Sequence, residues 1–200
     1  MMTWRLLRAL WEATEPKLAQ DRVGKTDKSK RQALVARFLF ISRHPLAVAM
    51  AQKSWSDTEH YTIPQLVQHW LFQHETLAGD LEELASSGQD GEGTVPVPDL
   101  FAKRIWLEDL DSETLHEAVG VIQGVLDFLD LSVPLDRLEN VVRRDIKPRQ
   151  NDKYFRKFCG NKLMLEDRTL LVSLETRVQK VSGGRYSITK WVEQCPRGYG

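Results

Sequence analysis

Cysteine is scarce in this chain: two residues in 200, Cys159 and Cys195. A secreted disulfide scaffold is short and cysteine-dense, and this sequence is neither. The two thiols are therefore expected to stay reduced, as in a cytosolic protein. No Cys-x-x-Cys pair is present, so a structural zinc site lacks its ligand spacing. Long apolar runs are missing as well. No stretch approaches the ~20 apolar residues needed to cross a bilayer. Residues 1–12 are broken by Arg8 and ended by Glu12, which leaves no continuous apolar segment for a signal peptide. The sequence reads as soluble and cytoplasmic, with no membrane partner.

Histidine pairs on one helix face are missing too. The five histidines are His44, His60, His69, His74 and His116. His69 and His74 lie about 140° apart around a helix, whereas a zinc helix needs i, i+4 spacing. No metal and no cofactor are expected. The phosphate-binding loop fares no better. Gly24-Lys25-Thr26 echoes its end, but its first glycine would fall at Ala19 and no strand pattern precedes it.

Charge is present and sorted into blocks. Residues 1–53 carry a net of +7, residues 54–142 a net of −15, and residues 143–200 a net of +8. The chain as a whole has net charge +0, which hides two basic blocks flanking an acidic one. Block asymmetry says more about partners than net charge does. The hydrophobic share of 42% is enough for a core, and six Trp are available as core or interface anchors.

Apolar spacing predicts helices over 3–20, 29–42, 45–54, 64–86, 99–108, 112–130 and 134–144. Proline at 45 and 64 suits a first helical turn. Residues 86–99 hold three Gly, two Pro and two Ser, a linker composition. The expected organisation is a helical, basic part over 1–86, a linker over 87–98, and a second part over 99–200. In that second part, residues 170–181 and 185–192 alternate apolar and polar and are rich in β-branched side chains. Ser182-Gly183-Gly184 lies between them, and glycine supplies the positive φ of a hairpin turn. The expected fold class is α+β: mainly helical, with a C-terminal antiparallel β-hairpin over 169–193 and a candidate third strand at 162–166.

Residues 144–151 (Arg-Asp-Ile-Lys-Pro-Arg-Gln-Asn) resemble the catalytic loop of protein kinases, in which the aspartate is the base and an asparagine binds magnesium. That resemblance would make Asp145 the base. The fifth residue after it is Gln150 rather than asparagine, and Arg143 takes the place of the family's histidine. No glycine-rich loop, Val-Ala-Ile-Lys lysine or Asp-Phe-Gly triplet accompanies it. A basic helix end with a proline stop explains the run better. Carboxylate clusters such as Glu82/Glu83 and Glu108/Asp109/Asp111 read as solvated faces, Glu166/Asp167 reads as a turn between strands, and the chain is expected not to be an enzyme.

The basic blocks carry the functional expectation. Arg143, Arg144, Lys147, Arg149, Lys153, Arg156 and Lys157 are interleaved with Tyr154, Phe155 and Phe158. Cations neutralise phosphates and release counterions, and aromatic faces stack on bases, which makes Tyr154 a stacking candidate. Lys25, Lys28, Lys30 and Arg31 form a secondary patch. A helix followed by a basic hairpin is similar to a winged-helix layout. The leading expectation is a non-enzymatic subunit that binds RNA or DNA through residues 143–157 and the hairpin. The alternative is a protein–protein adaptor that meets a basic partner through the acidic segment 57–139, using Trp55 or Trp106. A third arrangement competes with both: the basic blocks fold over the acidic one and neutralise it.

Overall fold

The computed structural model describes residues 37–87, 102–111, 114–146, 150–161 and 163–195. The helix expected over 3–20, the linker and the secondary patch of Lys25, Lys28, Lys30 and Arg31 lie outside the described residues. The chain divides into two compact units, Met1–Leu39 with Thr76–Lys103, and Phe40–Glu75 with Arg104–Gly200.

The described elements run in the order β1 (Phe38–Ser42), α1 (Pro45–Gln52), α2 (Ile63–Ser87), β2 (Ala102–Trp106), α3 (Leu107–Leu110), α4 (Leu115–Phe128), α5 (Leu135–Asp145), α6 (Gln150–Cys159), α7 (Leu165–Ser173), α8 (Glu175–Ser182) and α9 (Ile188–Gln194). The described residues are mostly helical, and the sheet among them is a short parallel pair, β1 with β2. Several starts follow from local chemistry. At α1, Pro45 takes the first turn, and His44 Nδ1 accepts from the Leu46 N–H at 3.3 Å. At α2, the Thr62 hydroxyl accepts from the Gln65 N–H (3.4 Å) while Gln65 Oε1 accepts from the Thr62 N–H (2.8 Å), a reciprocal capping box.

The C-terminal antiparallel hairpin does not form, nor does the strand expected at 162–166. Residues 165–194 fold as α7, α8 and α9. The side chains that alternate along this stretch also carry a helical stripe: Leu171, Leu174 and Val178 are buried at steps of three and four. Gly183 does adopt positive φ, +62°, but as a helix stop. The Gly184 N–H donates to the Gln179 carbonyl (2.7 Å) and the Gly183 N–H to the Lys180 carbonyl (3.3 Å), the two bonds of a Schellman motif. Ser187 then caps α9, accepting from the Lys190 N–H at 3.1 Å, and the Glu175 carboxylate accepts from the N–H groups of Ile188 (2.6 Å) and Thr189 (3.0 Å). Without a hairpin the winged-helix likeness falls away. Two further expectations are corrected. Residues 38–42, placed in a helix, form β1, whose Phe-Leu-Phe-Ile run alternates in exposure. Residues 102–106, also placed in a helix, form β2.

The larger core gathers Leu46, Val67, Leu71, Phe158, Leu171, Val178 and Ile188 from α1, α2 and α6–α9. A smaller cluster, Ala118, Val119, Leu138 and Val142, joins α4 to α5. Cys159 and Cys195 are bonded as a disulfide, which corrects the expected reduced pair. The bond ties the last residue of α6 to the residue after α9.

Candidate nucleic-acid interface

The basic segment owes its geometry to α6. Phe158 is 1% exposed, and Tyr154 and Phe155 pack half-buried against the same core. Lys153, Arg156 and Lys157 fall on the opposite side and are exposed. Cations and aromatics that interleave in sequence are thus sorted by the 3.6-residue period into an inner apolar face and an outer basic one. Among the described residues, Lys153, Arg156 and Lys157 enter no ion pair. Asp152 is the acid beside them on the exposed face of the helix.

Arg43, at the end of β1, was not among the candidates, yet it anchors this face. Its guanidinium lies 4.5 Å from the centre of the Tyr154 ring. Lys153 and Lys157 approach the same ring at 5.7 and 5.9 Å. Arg43 Nε donates to Asn151 Oδ1 (2.7 Å), and Asn151 Nδ2 donates to Glu108 Oε1 (2.8 Å). Glu108 also accepts from the His44 N–H at 2.8 Å and from the Tyr186 hydroxyl. One carboxylate in α3 therefore holds the first turn of α6, the start of α1 and the loop before α9. Burial and the Glu108 hydrogen bond push the Tyr186 hydroxyl pKa far up, so it stays a donor. His44 stacks on Trp191 (4.2 Å, 8° between planes) and is within 3.3 Å of the Ser187 carbonyl. Burial lowers its pKa to about 4, which keeps the ring neutral. No sequence signal joins Arg43 or Glu108 to these partners, because each lies more than 40 positions away.

The remaining candidates are scattered. Arg143 and Arg144 are exposed on the last turn of α5, a helix that belongs to the smaller cluster. Arg144 engages Asp145 through two hydrogen bonds of 2.9 and 2.8 Å, an exposed pair worth little to stability. Lys147 and Arg149 lie outside the described residues. Farther along the chain, Arg177 makes a two-pronged contact with Glu75 (2.9 and 2.7 Å) and Arg185 pairs with Asp109. Those two cations are spent on acids of the middle block, as internal neutralisation requires. Trp55 is 59% exposed, whereas Trp106 packs against the larger core. Among the described residues no helix is long and apolar enough to cross a membrane, and no group of His, Cys, Asp or Glu is placed to hold a metal ion. No protein-family model, curated protein or solved structure matches the chain.

Proposed function

We propose that the protein is a non-enzymatic nucleic-acid-binding subunit whose contact surface is the outer face of α6. The observation that carries this reading is the contrast between two sets of cations. Arg177 and Arg185 are turned onto the protein's own acids. Lys153, Arg156 and Lys157 are exposed on one helix face without an acidic partner among the described residues. Such a face attracts phosphates by releasing their condensed counterions. The reading places the protein in the cytosol, where nucleic acid is at hand and where thiol reductants act on the Cys159–Cys195 bond.

The test is fluorescence anisotropy of a labelled 20-nucleotide strand at low salt. The wild type binds, and the triple variant K153E/R156E/K157E loses at least tenfold in affinity while its circular dichroism is unchanged. Equal affinity of the two proteins, or no binding by the wild type, overturns the reading.

A second reading has its own support. Residues 107–136 contain no Lys or Arg, and within them Leu131 and Leu135 are 53% and 59% exposed. An acidic surface with apolar points suits a basic protein partner. That adaptor would survive both nuclease treatment and the triple reversal on α6.

A further inference from the structure

We infer that α6 binds through the phosphate backbone and offers the bases no aromatic platform. This rests on the proposed nucleic-acid reading and narrows it to one class of contact: cations on phosphodiester oxygens, with no base stacked on an aromatic side chain. Stacking requires an aromatic face open to solvent. Each aromatic of the segment is already engaged. Phe158 is 1% exposed. Phe155 meets Trp191 edge to face at 5.3 Å, with the planes at 84°. Tyr154 has the Arg43 guanidinium over its ring and packs half-buried against the core. Arg43 in turn is fixed by Asn151, and Asn151 by Glu108. Displacing it from the ring would break a chain of hydrogen bonds. Tyr154 is thus part of the packing beneath the basic face, not a platform for a base.

What remains outward is charge: Lys153, Arg156 and Lys157. Lys153 and Lys157 are flexible point charges suited to oxygens at variable positions, and the Arg156 guanidinium matches phosphate oxygens with its two-pronged fork. Three such contacts fix the salt dependence. The logarithm of affinity should fall with the logarithm of salt at a slope of about −2 for a single strand and about −3 for a duplex.

The experiment compares four probes by anisotropy: an oligothymidylate 20-mer, an abasic phosphodiester strand of equal length, a 20-base-pair duplex, and heparin. The expected result is that the abasic strand binds within twofold of oligothymidylate, with slopes near those values. Y154L, which keeps an apolar side chain but removes the π face, should bind as the wild type does. K153E/R156E/K157E should lose both strands equally. A tenfold or larger deficit for the abasic strand, or for Y154L with unchanged circular dichroism, overturns the inference while leaving α6 as the binding face. Failure of every oligonucleotide to bind, with or without binding to heparin, overturns the nucleic-acid reading and this inference with it.

Discussion

Gly183 and Gly120 make a matched pair of opposite sign. Gly183 sits at φ +62° and a Cβ added there would meet nothing within 4 Å. The penalty for G183A is therefore backbone strain alone, about 1 kcal/mol. Gly120 lies inside α4, and a Cβ there also meets open space. There the chain is already right-handed, so G120A should stabilise by about 0.5–1 kcal/mol by removing freedom from the unfolded state. Guanidinium unfolding of both variants checks the signs. A stable G183A would mean that α8 does not end in a Schellman stop. The same residue shows why the C-terminal hairpin was a natural misreading. Glycine announces a positive φ, and both a hairpin turn and a helix stop use one.

At the level of elements, α6 makes the sharpest claim. Its inner face holds Phe158 in the larger core, and among the described residues its outer face exposes Asp152, Lys153, Arg156 and Lys157. F158A should cost about 3–5 kcal/mol through the cavity it leaves, whereas R156A should change stability by less than about 0.5 kcal/mol. The helix is also tethered. The Cys159–Cys195 bond closes a loop with a sequence separation of 36, and the chain-entropy account gives about 3–4 kcal/mol for such a loop. C159A/C195A should show that loss in denaturant unfolding, and the wild type should show a similar one when a dithiol reductant opens the bond. Elements with one clear period were legible: α1, α2, α4 and α5 each carry proline, a capping residue or a regular apolar stripe where the structure uses it. Residues 165–194 were not, because Leu171, Leu174 and Val178 satisfy a helix while their neighbours satisfy a strand. Only packing against Phe158 and Ile188 decides between the two. Likewise the sequence marks Lys153, Arg156 and Lys157 as candidates without deciding between solvent and internal pairing, and it does not mark Arg43, which only the fold brings to Tyr154.

For the whole molecule, sorted charge and buried imidazoles together set the response to acid. Burial lowers the pKa values of both His44 and His74 to about 4. The unfolded chain takes up those protons near pH 6.5, before the folded protein does, so it binds more protons between pH 6.5 and 4. Stability must then fall as pH drops through that window. For His44, which is almost fully buried and stacked on Trp191, the full shift corresponds to about 3 kcal/mol. His74 is half-buried and adds less. A second loss begins lower. The hydrogen bond from Arg177 holds the Glu75 carboxyl below its ordinary value. Burial alone would raise Glu175, but hydrogen bonds from Ser187, Thr189, Gln179 and Ile188 outweigh it and lower its pKa. Both carboxylates contribute stability above pH 4.5 that disappears as they protonate below it, which unlatches Arg177 and the start of α9. Guanidinium unfolding at pH 7, 5.5, 4.5 and 3.5 should therefore show a decline that starts well above the carboxylate range. H44N removes the group that must titrate in burial, so its stability, lower at pH 7, should decline less between pH 6.5 and 4.5. A wild-type midpoint that is flat from pH 7 to 4.5 would mean that neither imidazole is held neutral by the fold.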